Sequence, residues 1–129
     1  MSRENVEAVL RGYAAFNRGD LDAAIEGFHP EIEWHGPGVF PDEDVYRGVE
    51  GVRRFWGEFL STWESYKVEP LSFHDAGDQV AVVVHISGRT HDLEVGETRS
   101  SLLTVRDGRI ARVQSFADPE GAREALGLP

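Results

Sequence analysis

The sequence predicts an α+β domain, with helices segregated on one face of a curved antiparallel sheet. Three observations carry this. Two amphipathic helical patterns open the chain, a third follows one short strand pattern, and beyond residue 66 the apolar spacing changes from three-and-four to alternation. At 129 residues, 40% of them apolar and including three Trp, three Tyr and seven Phe, the chain suits one domain, residues 1–129, with one core or a cavity inside it.

The elements follow in order. Val6, Val9, Leu10, Tyr13 and Phe16 draw one stripe down a first helix, which ends at Asn17-Arg18-Gly19. Asp20 then caps a shorter helix with Leu21, Ala24, Ile25 and Phe28 on its inner face, stopped by His29-Pro30. Residues 31–35 alternate as a strand with Ile32 and Trp34 on one side, so His35 points to the other. The Gly- and Pro-containing segment 36–48 reads as a loop bordering a pocket. Val52, Phe55, Trp56, Phe59, Leu60 and Trp63 mark one apolar face of a third helix. Four strands are expected at 67–74, 79–88, 97–106 and 109–117, turned at Ala76-Gly77-Asp78 and Asp107-Gly108, with a last short helix within 120–126.

Composition narrows the partners. A formal net charge of -10 opposes binding to nucleic acid or to an anionic membrane surface, both of which need clustered Lys and Arg. With no cysteine there is no disulfide, thiol nucleophile or thiolate metal site. The opening MSRENVEAVL lacks the basic start and apolar stretch of a signal peptide, and no window approaches the roughly 18 apolar residues of a membrane span, so the expected compartment is the cytoplasm. His74-Asp75 and His91-Asp92 are adjacent pairs that project oppositely on a strand, so no metal is expected. Neither a phosphate-binding glycine motif nor a nucleophile elbow occurs.

Four segments together carry a resemblance over nearly the whole chain: YAAFNRGDLDAA, FHPEIEWHGP, YRGVEGVRRFW and VRDGRI. They resemble the nuclear transport factor 2-like (NTF2-like) superfamily, in its SnoaL-like and ketosteroid-isomerase-like branch. The resemblance implies a cone in which three helices pack on the concave face of a strongly curved antiparallel sheet around a pocket. It also implies a homodimer through the sheet's outer face. The same family hosts isomerases, cyclases, epoxide hydrolases, dehydratases and non-catalytic binders, so it does not select a reaction.

Position by position, Tyr13 falls where the steroid isomerases keep an oxyanion-binding tyrosine. Gly36 falls where they place the proton-shuttling aspartate, and Ser101 where they place a protonated aspartate donor. Phe28 and Trp56 stand where further tyrosines would support Tyr13. Glycine can be neither base nor donor, so proton transfer by those groups is not expected. Of the epoxide hydrolases' arginine between two aspartates, Asp92 and Arg99 match by type only.

The resemblance also assigns to the cavity the face of residues 79–88 that carries Val83 and His85, together with Ser101, Leu103, Val113 and Ser115 on the opposing wall. Phe16, Trp34, Trp56 and Phe59 complete the expected lining. His85 is then the expected acid or base and Tyr13 the donor, because a semi-buried imidazole titrates near neutrality. The expected function is a pocket for an apolar carbonyl or hydroxyl compound, worked by a cofactor-free isomerase, cyclase or lyase. The alternatives are a non-catalytic binder and a dimerisation or protein-interaction module.

Overall fold

A computed structural model of the chain describes residues 2–35 and 45–127, with Ser2 as backbone only. Helices α1 (Ser2–Asn17) and α2 (Leu21–Glu26) come first, followed by strands β1 (Phe28–His35) and β2 (Val45–Arg47) and helix α3 (Gly48–Leu60). Strands β3 (Ser65–Ala76), β4 (Gln79–Arg89), β5 (Glu94–Arg106) and β6 (Arg109–Phe116) follow, and α4 (Gly121–Ala125) ends the series. The six strands form one curved, unclosed sheet in the order β2-β1-β6-β5-β4-β3. All pairings are antiparallel except β1 with β6, which run parallel.

Local chemistry explains most boundaries. The Asp20 carboxylate accepts from the Ala23 amide at 3.1 Å and caps α2 as its sequence position requires. Asp107 and Gly108 both have positive φ, 54° and 76°, which suits the two-residue hairpin between β5 and β6. In edge strand β3 the register shifts between Pro70 and Ser72, and the bulge accommodates a proline that has no amide to donate. The expected third helix stops short of Trp63. That ring lies against Gly88 of β4, where a Cβ would come within 2.6 Å of it.

Two differences from the sequence reading shape the site. The segment expected to be a loop contains β2, whose Tyr46 pairs with Trp34 of β1. The fourth helix is set apart from the other three. Ala122 of α4 packs on Ala81 and Leu102, on the side of the sheet away from the main core. That core lies between α1, α3 and the concave face, around Val9, Ile32, Val52, Val80, Val82 and Val84. The Asn17 side chain fixes the end of α1 to β3: its Nδ2 donates to the Val68 carbonyl and its Oδ1 accepts the Val68 amide, both at 2.8 Å.

Candidate functional site

Between the helices and the concave face lies a cavity of about 190 Å³. Its wall is mostly aromatic. Trp56 is at the centre, edge-on to Phe16 at 5.2 Å, Phe28 at 5.6 Å and Trp34 at 5.6 Å between ring centroids. Tyr46 stacks on Phe55 at 4.3 Å, so the unexpected strand contributes to the same wall. Helical spacing puts Tyr13 and Phe16 of α1 on one side and Phe55, Trp56 and Phe59 of α3 on another, while β1, β3, β4, β5 and β6 form the floor.

Of the residues expected here, Tyr13, Phe16, Trp34, Trp56, Phe59, Ser101, Leu103, Val113 and Ser115 line the cavity. Val83 and His85 do not. The ladder between β4 and β5 pairs Val82 with Ser101, Val80 with Leu103 and Val84 with Arg99. Directly paired residues share a face, so the side that carries Ser101 and Leu103 carries the even-numbered residues of β4. His85 therefore lies on the outer face, with Thr98 and Glu69 as its cross-strand neighbours. The assignment of Val83 and His85 to the cavity is corrected to Val84 and Ile86, a slip of one residue.

His35 also points away from the cavity, with Nε2 2.9 Å from Glu33 Oε1. That hydrogen bond, with Arg47 at 2.6 Å, holds the Glu33 carboxyl below the usual carboxylate range. Gly36, expected at the position of a catalytic carboxylate, lies outside the described residues. Asp92 is exposed in the turn before β5, away from the cavity wall. Among the described residues, no three His, Asp or Glu side chains converge as a metal site would require.

The polar part of the wall is small. Ser101 hydrogen-bonds to the Tyr13 phenol, and Ser115 sits across from Ser101 on β6. Burial pushes the Tyr13 pKa from 10.0 up to about 12, with the Ser101 hydrogen bond opposing the rise. The phenol is thus a neutral donor throughout the physiological range. The sequence reading missed Tyr66, whose phenol burial also raises, and the cavity position of Arg99. Strand parity could have located Arg99, since residues 99, 101 and 103 share a face.

The Tyr13 shift has a measurable consequence. The folded chain keeps this proton to higher pH than the unfolded chain, so the associated stability is complete below pH 10 and declines as pH rises to about 12. The rise from 10.0 to about 12 corresponds to at most roughly 2–3 kcal/mol. Chemical denaturation between these pH values should show the decline in the native protein and lose that contribution in Tyr13→Phe. Equal slopes for the two proteins would contradict the assignment.

The model for the SnoaL-like domain matches residues 9–113, which include the second half of α1, all of the α3 wall and most of the sheet. The chain belongs to the SnoaL-like domain family. An uncharacterised Mycobacterium tuberculosis protein is 30% identical to this SnoaL-like domain over 118 residues, 89% of this chain and 90% of that one. A solved structure from Sinorhizobium meliloti, described as a candidate polyketide cyclase, is 29% identical, covers 84% of this chain and 93% of its own, and has a TM-score of 0.71. The structure of TerC co-crystallised with polyporic acid shares the fold at a TM-score of 0.81 and 24% identity, covering 96% and 98% of the two chains. The expected NTF2-like, ketosteroid-isomerase-like fold is the one observed.

Proposed function

We propose that this SnoaL-like domain binds a compact, flat, largely apolar small molecule and holds one of its carbonyl or hydroxyl oxygens at Tyr13. The observation that carries this reading is the placement of the buried Tyr13 phenol, with Ser101 as its polar neighbour, in the wall of a largely apolar, aromatic-rich cavity. A neutral phenol has one hydrogen to donate and an oxygen that accepts, so Tyr13 can accept from Ser101 and still donate to a ligand oxygen. The cavity volume of about 190 Å³ is below the roughly 300–1,000 Å³ typical of drug-sized sites and favours one or two fused rings.

Binding is preferred to catalysis because none of the described residues lining the cavity is Asp, Glu or His. An acid–base reaction needs a group to receive the proton, and the donor alone does not supply it. Cofactor-free isomerase, cyclase or lyase activity is the second reading, supported by the same donor pair and by the likeness to the candidate cyclase from Sinorhizobium meliloti. Within either reading we assign the protein to the cytoplasm on composition; among the described residues no helix is long and apolar enough to cross a membrane. We also propose a homodimer through the outer face around Val83 and His85, beside the part that α4 covers.

Paired probes test the anchor. 2-Acetylnaphthalene should bind about tenfold more tightly than 2-ethylnaphthalene, the gain of one net hydrogen bond. Tyr13→Phe should remove that preference and His85→Ala should leave it intact. Equal affinity for the two probes would remove the role given to Tyr13, and binding of neither would remove the cavity reading. A compound that co-purifies with the protein, followed by mass spectrometry during incubation, separates the two readings: conversion establishes the enzyme and unchanged recovery the binder.

A further inference from the structure

The cavity wall carries one charge among its described residues, Arg99. Arg99 lies on the inner face of β5, two residues before Ser101 and so roughly 7 Å from it along the strand. Burial changes along this face. Leu103 and Ser101 are only 4% and 9% exposed, whereas the side chains of Arg99 and Glu97 are 33% and 39% exposed. The cavity therefore opens to water at the Arg99 end, with Tyr13 and Ser101 deeper inside.

A surface arginine ordinarily lays its stem on apolar groups and extends its head into water. Here the side chain is two-thirds buried and its head borders an aromatic cavity. Glu97 accepts a hydrogen bond from the Arg99 Nε. Among the described residues no hydrogen bond or ion pair reaches the two terminal nitrogens, Nη1 and Nη2, although the Tyr66 phenol lies near enough to feel the charges of Arg99 and Glu97. These form the planar edge of the guanidinium that matches a carboxylate with two parallel hydrogen bonds. Glu97 balances the charge of the guanidinium through the other side of the group.

We propose that the ligand is an aromatic carboxylate, with its ring body between the aromatic walls and its carboxylate on the Nη edge of Arg99 at the cavity mouth. This rests on the cavity reading above and specifies the chemical class that the cavity selects. Net charge does not favour an anion, because the chain carries -10 overall. At physiological salt that distant charge is screened beyond roughly 8 Å, whereas a paired guanidinium at contact is not. Selection thus depends on this one side chain. Glu97 opposes the incoming carboxylate and moderates its affinity.

The probes are 2-naphthoate and 2-naphthamide, which share a shape and differ in charge, titrated by calorimetry into the native protein, Arg99→Gln and Glu97→Gln. The native protein should bind the carboxylate at least about tenfold more tightly than the amide, as expected for a hydrogen-bonded charge pair. Arg99→Gln should lose that preference, its carboxylate affinity falling about tenfold, with an unchanged circular dichroism spectrum and thermal transition showing that the variant is folded. Glu97→Gln should bind the carboxylate several-fold more tightly with the amide unchanged. Equal binding of both probes to the native protein, or a preference that survives Arg99→Gln, would overturn the carboxylate assignment and leave the cavity reading standing. Binding of neither probe would overturn both.

Discussion

Replacing Trp56 with alanine is expected to destabilise the protein by about 3–5 kcal/mol, the range for deleting a buried large aromatic. Trp56 is 4% exposed and one turn from the fully buried Val52 on α3. Its ring makes edge contacts with α1 through Phe16 and with β1 through Phe28 and Trp34. Each edge-to-face pair adds roughly 0.5–1.5 kcal/mol beyond burial, so one truncation removes several favourable contacts together. The new void would join the cavity already beside it, and walls held apart by that cavity have little scope to close the gap. At roughly 4 °C per kcal/mol for a chain of this length, thermal unfolding should fall by about 12–20 °C. Trp56→Phe should recover more than half of the loss. Indole should raise the melting temperature of Trp56→Ala by more than that of the native protein, because truncation adds a void of that shape to the cavity already present. A loss under about 1 kcal/mol would show that Trp56 does not hold α1 and α3 to the sheet.

That cluster was legible in the sequence because helical spacing is a local property. Tyr13 and Phe16 share a stripe, as do Phe55, Trp56 and Phe59, and each stripe needs one apolar environment. The Asp20 cap and the Asp107-Gly108 hairpin were legible for the same reason, since a few bonds decide them. The face of β4 was not. Val80, Val82, Val84 and Ile86 alternate with Ala81, Val83 and His85, and both sets are apolar enough to be buried. Alternation defines two faces without saying which one is inside; the choice comes from the β4–β5 register, set where Arg89 pairs with Glu94 across the intervening turn. Strand β2 escaped notice because three residues make no pattern, and the parallel pairing of β1 with β6 joins positions more than 75 residues apart. Arg99 shares a strand face with Ser101 and Leu103, which were expected in the wall, so its inward direction was legible by parity and was overlooked.

Ser101→Asp provides the strongest electrostatic test of this geometry. Ser101 is 9% exposed, bonded to a phenol and surrounded by apolar wall, and an ionised carboxylate there would be poorly solvated. Burial of this kind raises a carboxyl pKa by up to roughly 3–5 units, so the introduced group should remain protonated well above its ordinary range. Arg99 moderates the rise, but its guanidinium is already engaged by Glu97 and lies roughly 7 Å away along the strand. The sign of the pH dependence follows from proton linkage. A folded-state pKa above the unfolded value means that stability is greatest below the unfolded pKa, near 4, and falls as pH rises toward the folded one. A rise of about three units corresponds to about 4 kcal/mol lost between pH 4 and pH 7. The variant should therefore be close to native stability in acid and much less stable at neutral pH, whereas Ser101→Asn, similar in size and uncharged, should show no added slope. Denaturation curves at the two pH values measure this directly. A slope equal to that of the native protein would mean that residue 101 meets water, and the Tyr13–Ser101 pair could not then be the dry polar end of the cavity. The expected slope would place the same requirement on a ligand: a neutral oxygen is accepted beside Tyr13, and an anionic group is driven toward Arg99.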